Sequence, residues 1–215
     1  MSKYKYLLFD MDGTIANTDP MLIKTMQILY DKYRDGVQTP IEQIYYFSGP
    51  PIAGTLAKEF PNQDQEFMYN EFKNLSMSLY PSTVEEYPHC REVLLELKEK
   101  GYRLGVVTNK IRSASLLCLD IIHLDDVFEI LVGYDDVKIG KPNPEGIYKA
   151  MNYFKANDLN EVLYIGDNTM DLLTANNAGV DCALLSGGPR KLPKETNPKI
   201  WYKDFLDLRR ILLDE

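Results

Sequence analysis

From Pro88 onward the chain alternates short apolar, β-rich runs with segments whose apolar residues recur at helical spacing, and this alternation constrains the fold more than any other feature of the 215 residues. Arg103-Leu104-Gly105-Val106-Val107, Ile130-Leu131-Val132, Val162-Leu163-Tyr164-Ile165 and Cys182-Ala183-Leu184-Leu185 read as strands, the last of them closing the series. Helical patterns lie between them. Pro88 to Lys100 places Val93, Leu94 and Leu97 on one face and stops at Gly101, and a second helix runs through Leu116, Leu117 and Leu119. Asn143-Pro144-Glu145 opens a third, with Asn143 as N-cap, Pro in the first turn, and Ile147, Met151 and Phe154 along one side. Thr169 to Ala178 is a fourth, ended by Gly179. Alternation of this kind points to a parallel sheet flanked by helices.

The stretch 16–85 behaves differently, because it contains no convincing strand. Thr18-Asp19-Pro20 starts a helix whose Leu22, Met26, Leu29, Tyr30 and Tyr33 share a face and which Gly36 ends. Thr39-Pro40-Ile41-Glu42 has capping-box spacing, with Thr39 as N-cap. Two further helices fit Pro51 to Phe60 and Asp64 to Tyr80, bracketed by Pro61 and Pro81. The expected organisation is an α/β core of residues 1–15 and 86–215, interrupted after its first strand by a small all-helical unit, 16–85. An insertion there overhangs the carboxyl edge of the sheet and is placed to act as a lid.

A net charge of −8 and a pI of 4.9 argue against a nucleic-acid partner, which requires a concentrated basic surface. An acidic chain acting on an anionic substrate must supply local positive charge from a lysine, a metal ion or backbone N–H groups. Cys90, Cys118 and Cys182 are widely spaced, with no CxxC or Cys/His cluster, and read as small core residues. His89 and His123 read as structural. The apolar run Tyr6-Leu7-Leu8-Phe9 is too short for the core of a signal peptide, and no window approaches a membrane span. A cytoplasmic protein with no membrane partner is expected.

Asp10-Met11-Asp12-Gly13-Thr14 follows that run directly. The carboxyl end of a strand in an open parallel sheet is where ligands bind. Two carboxylates there can divide covalent catalysis, one attacking a phosphorus centre while the other moves protons. Asp and Gly are also ordinary turn residues, so a surface turn is the competing reading. Gly13 permits a tight turn and close approach of backbone to phosphate. Three later segments favour chemistry. Thr108-Asn109-Lys110 supplies a hydroxyl and an amide for phosphate oxygens, although Thr108 could equally cap the next helix. Gly140-Lys141-Pro142-Asn143-Pro144 holds a lysine in a loop stiffened by two prolines, which suits a fixed cation aimed at phosphate. Gly166-Asp167-Asn168-Thr169-Met170-Asp171 sets two acids four apart at a helix start, near enough for one ion, although Asp is also a common N-cap. Four aspartates at one sheet edge repel one another unless a cation neutralises them. All-oxygen ligation by Asp10, Asp12, Asp167 and Asp171 suits Mg²⁺. Gly187-Gly188-Pro189 and the lysine-rich stretch to Lys199 read as a solvated loop.

Asp-x-Asp-Gly-Thr, the post-strand Thr, Lys-Pro-x-Pro and Gly-Asp-x-x-x-Asp, in this order and spacing, resemble the four motifs of the haloacid dehalogenase superfamily. The resemblance covers essentially the whole chain, and the helical insert is similar to the cap of the phosphoglycolate phosphatase-like branch. It implies an α/β fold, a Rossmann-like parallel sheet with a helical cap inserted after the first strand. It also implies roles. Asp10 would form an aspartyl-phosphate, and Asp12 would protonate the leaving oxygen, then deprotonate the hydrolytic water, its backbone carbonyl ligating Mg²⁺. Thr108 and Lys141 would bind phosphate oxygens, Asp167 would ligate the metal directly, and Asp171 directly or through water. Ser48-Gly49-Pro50-Pro51 looks like the specificity loop of such a cap, which implies substrate contact by Ser48 and Gly49; Ser48 and cap tyrosines such as Tyr45 could touch the leaving group or merely pack.

The activity implied is a Mg²⁺-dependent phosphatase for a small phosphorylated metabolite such as 2-phosphoglycolate, working as a monomer or homodimer. The same branch holds pyrophosphatases, sugar-phosphate phosphatases and nucleotidases, and Asn168 stands where Ser or Thr is commoner. Asp12 sets the chain apart from carbon dehalogenases and phosphonate-cleaving relatives. A β-phosphoglucomutase-like mutase shares both aspartates, but Tyr46-Phe47-Ser48-Gly49-Pro50-Pro51 has no counterpart of its basic cap-loop Arg-x-Lys. A non-catalytic binding protein on this fold would be expected to lose one of the acids.

Overall fold

The structure is a computed structural model that describes residues 2–213. Its centre is β1 (Tyr6–Phe9), flanked by β4 (Arg103–Val107) and β6 (Val162–Gly166). Outside β4 lies β5 (Ile130–Val132), and beyond β6 come β7 (Asp181–Leu185) and β8 (Ile200–Tyr202). All six run parallel, with Leu8 opposite Gly105 on one side and Tyr164 on the other. Alternate side chains go to opposite faces. Leu7 and Phe9 pack with Leu104, Val106, Leu163 and Ile165, whereas Leu8 packs with Tyr164, Cys182 and Leu184. Helices cover both faces, which is why these strands are unbroken apolar runs in the sequence.

The covering helices are α5 (Cys90–Glu99), α6 (Arg112–Ile121), α7 (Glu145–Phe154), α8 (Thr169–Ala178) and α9 (Phe205–Leu213). Asn168 caps α8, its side chain accepting from the Met170 N–H, and Gly179 ends that helix at φ +75°. The Asn143 amide oxygen accepts from the Glu145 N–H at 3.0 Å, so it caps α7 from one residue outside the assigned boundary. All three cysteines are buried and unpaired. Among the described residues, no helix is long and apolar enough to cross a membrane.

After β1 the chain leaves the sheet through β2 (Ala16–Asn17) and returns through β3 (Glu85–Glu86), an antiparallel pair. Between them lie α1 (Asp19–Tyr33), α2 (Ile41–Ile44), α3 (Ile52–Glu59) and α4 (Gln65–Thr83), with α4 packed against both α1 and α3. One apolar core continues from Met26, Leu29, Leu56 and Met68 of these helices to Leu7 and Phe9 of the sheet.

Several expectations need correction. The two-residue strands β2 and β3 lie at the ends of a stretch read as free of strands; pairing across 67 intervening positions leaves no local pattern. Cys182–Leu185 does not close the sheet, since β8 pairs beyond it and α9 follows. Thr39 caps nothing: its hydroxyl donates to Glu59 Oε2, which also receives Tyr30 Oη and Arg34 Nη1. That carboxylate draws the side chain away from α2. Helix α4 runs through Pro81 to Thr83, the last turn being held by Val84 N–H on the Tyr80 carbonyl and the Ser82 and Thr83 hydroxyls on the Leu79 carbonyl.

Candidate functional site

Parallel register brings three chain segments to one edge. Phe9 lies opposite Val106 and Ile165, so Asp10, Thr108 and Asp167 all emerge at the carboxyl ends of neighbouring strands. The chain turns from β1 to β4 on one side and later returns to β6 on the other, and such a reversal of strand order opens a ligand crevice. Asp10, Thr108, Lys141, Asp167 and Asp171 are all buried there.

Lys141 Nζ lies 2.8 Å from Asp10 Oδ1 and 2.7 Å from Asp171 Oδ1, and donates to Tyr164 Oη at 3.1 Å. Tyr164 in turn donates to the Val107 carbonyl at 2.7 Å, fixing the lysine against the end of β4. Burial works against the Lys141 charge, but Asp10 and Asp171 outweigh it and hold the ammonium well above its usual range. The approach of Lys141 to Asp10 is a charge contact outside hydrogen-bond alignment, so Asp10 Oδ1 is buried without a donor. Burial also pushes the Asp10 carboxyl up to about 6, against the pull of Lys141.

Asp12 is held differently. Its Oδ1 receives Lys110 Nζ at 2.6 Å and Thr18 Oγ1 at 2.8 Å. The Lys110 N–H bonds the Thr108 hydroxyl, a tight turn that sends the Lys110 side chain back toward the site. Its ammonium lies 5.1 Å from the Tyr80 ring, and Asp12 keeps it above its usual range despite burial.

Asp10, Asp167 and Asp171 each bring a carboxylate oxygen within 4.8 Å of the other two. Asp167 Oδ2 receives Arg190 Nη1 at 2.7 Å, and burial still raises this carboxyl to about 8. Asp171 has both oxygens engaged: Oδ1 by Lys141, Oδ2 by the Asp167 and Asn168 N–H groups. The site therefore sets five carboxylates, Asp10, Asp12, Asp19, Asp167 and Asp171, against the three cations Lys110, Lys141 and Arg190. Two more carboxylates than cations, a buried carboxylate oxygen without a hydrogen-bond donor and an all-oxygen donor set fit a divalent cation.

Two residues were not legible as site residues. Arg190 sits in the stretch read as a solvated loop, yet it is buried, pairing with Asp167 and, at 2.5 Å, with Asp19 of α1, and donating to the Tyr45 carbonyl. The neighbouring Lys191, Lys194 and Lys199 are exposed, as expected. A single Arg among lysines was the available signal, since the planar fork suits buried bidentate pairing better than an ammonium. The other is Lys110, where the sequence reading favours its neighbour Asn109. The Asn109 amide, expected on phosphate, is instead spent on the Lys141 backbone N–H and carbonyl and the Gly49 carbonyl, fastening two loops together.

Gly13 is required sterically. At φ +83° a Cβ there would lie 2.3 Å from Asp167 Oδ2 and 2.8 Å from Arg190 Nη1. Gly49 packs against the Asn168 amide at φ +105°, which seats the loop on the sheet edge and leaves Ser48 Oγ buried with no partner. A cavity of about 130 Å³ opens between this loop, α1, α4 and the sheet edge, with Asp10, Asp12, Ser48, Thr108 and Lys110 in its wall.

The profile of the haloacid dehalogenase-like hydrolases matches residues 7–185. A pyrophosphatase PpaX from Halalkalibacterium halodurans is 34% identical over 179 residues, spanning 83% of this chain and 82% of that protein. Two solved structures share the fold. A haloacid dehalogenase-like family hydrolase from Streptococcus pneumoniae superposes with a TM-score of 0.84 at 16% identity, covering 97% of this chain and 98% of that one. A predicted phosphoglycolate phosphatase from Haemophilus somnus 129PT gives 0.82 at 23% identity, covering 98% and 99%. With its motifs gathered at one sheet edge and this profile running from β1 through β7, the chain belongs to the haloacid dehalogenase-like hydrolases.

Proposed function

We propose that the chain is a Mg²⁺-dependent phosphatase that hydrolyses a small phosphomonoester through an aspartyl-phosphate on Asp10. The observation that carries this reading is Asp10 itself: a buried carboxylate at a cavity, with one oxygen free of hydrogen-bond donors and Lys141 at 2.8 Å. In the first displacement an Asp10 oxygen bonds to phosphorus, the phosphorus–alkoxide bond breaks, and Asp12 gives the leaving oxygen its proton. In the second, water attacks phosphorus, Asp12 takes the proton, and the Asp10–phosphorus bond breaks to release phosphate. Lys110 and Thr18 engage Asp12 Oδ1, leaving Oδ2 for these transfers.

Lys141 and the Thr108 hydroxyl serve the equatorial phosphoryl oxygens, where negative charge must be stabilised during transfer. Bound Mg²⁺ would be held by Asp10, Asp167 and the Asp12 backbone carbonyl, and would supply further charge neutralisation at the phosphoryl group. Asp171 orients Lys141 and closes the turn before α8, and would join the ligation directly or through water. Residues 16–85 act as the cap over a core of 1–15 and 86–215, excluding bulk water and presenting Ser48 and Gly49 to the leaving group.

The pyrophosphatase name of the relatives supports a second reading, in which the leaving group is itself phosphate. Phosphate release from pyrophosphate, 2-phosphoglycolate, sugar phosphates and nucleotides, with wild type beside Asp10→Asn, tests both. Release by wild type and not by the variant is expected; equal release by the two proteins would remove Asp10 as nucleophile.

A further inference from the structure

Beyond the phosphoryl site, the cavity is walled mainly by hydrocarbon. Met21, Leu22, Phe47, Phe72, Met77 and Tyr80 line it. Two lysines reach it. Lys110 is committed to Asp12 at 2.6 Å, which leaves Lys73 of α4 as a cation without an ion pair among the described residues. The uncommitted polar atom of the loop side is Ser48 Oγ, buried and unpaired.

We propose that this cavity selects the phosphomonoester of a small, largely apolar alcohol, in preference to pyrophosphate or a polyhydroxylated sugar phosphate. The inference rests on the phosphatase reading and names the substrate class of that same site. Size comes from the volume. An apolar cavity of about 150 Å³ holds one benzene molecule. The cavity of about 130 Å³ also takes in the phosphoryl site, with Asp10, Asp12 and Thr108 in its wall, so the alcohol is limited to fewer than about six non-hydrogen atoms while the cap is in this position. Polarity comes from the walls. A polyol placed against Met, Leu and Phe side chains gives up hydrogen bonds to water and recovers fewer, from Ser48 Oγ and the phenol groups of Tyr69 and Tyr134. A leaving phosphate faces a larger penalty, because a multiply charged anion would enter an apolar cavity where Lys73 alone is uncommitted. An alkyl or small ring group suits the same surface by burial of apolar area.

Butyl phosphate and glycerol 3-phosphate have alcohols of similar size that differ chiefly in hydroxyl groups, so their kcat/KM values at saturating Mg²⁺ isolate polarity. Butyl phosphate is expected to be favoured by about tenfold or more, the discrimination typical of apolar pockets. Butylphosphonate, which is not hydrolysed, is expected to inhibit more tightly than methylenediphosphonate, the corresponding stand-in for pyrophosphate. Met77→Gln should lower the butyl-to-glycerol ratio; a ratio measured within one variant is independent of how much of that variant folds. Equal or better turnover of glycerol 3-phosphate, or tighter inhibition by methylenediphosphonate, overturns the inference while leaving an Asp10-dependent phosphatase in place. Failure to release phosphate from any ester would remove the phosphatase reading and this inference with it.

Discussion

Arg190→Met strips two buried carboxylates of one cation while keeping most of the side-chain volume. The arginine side chain is 3% exposed and holds Asp167 at 2.7 Å and Asp19 at 2.5 Å. Removing one partner of a buried ion pair costs about 3–5 kcal/mol, largely as the penalty of the stranded charge. Two such pairs do not cost twice that amount here. Burial already lifts Asp167 to about 8, so without Arg190 this acid takes up a proton near neutrality, and burial acts in the same direction on Asp19. The expected loss is therefore near the lower bound, about 3 kcal/mol in the metal-free protein. For a chain of this size about 1 kcal/mol shifts the melting temperature by about 2–4 °C, which gives a fall of about 6–12 °C. Because protonation is the escape, the fall should be larger at about pH 8.5 than at about pH 6. Mg²⁺ should narrow it by compensating Asp167. Thermal unfolding followed by far-UV circular dichroism, with EDTA or Mg²⁺ at both pH values, measures all of this. A loss below about 1 kcal/mol at the higher pH, or the same loss at both, would refute the assignment of Arg190 as a buried charge partner.

Asp10→Asn should lower kcat by about a thousandfold or more, since Asn supplies no nucleophile. Its melting temperature should equal or exceed that of the wild type, because it removes a carboxyl that burial already disfavours; a cooperative loss of stability would argue against that. Chelation by EDTA should abolish phosphate release and excess Mg²⁺ should restore it, while indifference to chelation would take the metal out of the mechanism. Gly13→Ala should cost about 1–3 kcal/mol of backbone strain at positive φ and displace Asp167, weakening Mg²⁺ binding measured by calorimetry as well as activity. In the metal-free protein, Asp10 and Asp167 have folded pKa values near 6 and 8, above their unfolded values, so the folded state binds more protons between about pH 4 and about pH 8. Stability should therefore fall as pH rises through that window, and Mg²⁺ should flatten the slope; a metal-free protein that gains stability over this range would contradict the sign.

Local chemistry settled much of this molecule before any tertiary contact was considered. The strands β1, β4, β5, β6 and β7 announce themselves because a parallel sheet covered on both faces demands unbroken apolar runs. Helix α8 is written in its apolar pattern from Thr169 and in Gly179, a stop whose chemistry acts within one turn. The aspartates and Lys141 were placed by their position just after strands or in a rigid loop, since parallel topology carries all such ends to one edge. What lay beyond the sequence depends on distance in space. The β2–β3 pair joins residues far apart in the chain, and β8 is three residues long, so neither leaves a periodic trace. Thr39 follows the capping pattern yet serves Glu59, a partner that only the packing of α3 brings near. Asn109 and Lys110 are neighbours whose roles are exchanged by one turn of backbone at Thr108. Arg190 lies in a Gly-, Pro- and Lys-rich stretch that reads locally as a solvated loop. It becomes a buried charge partner only because α1 and the turn after β6 converge on it, supplying the two carboxylates that offset its desolvation.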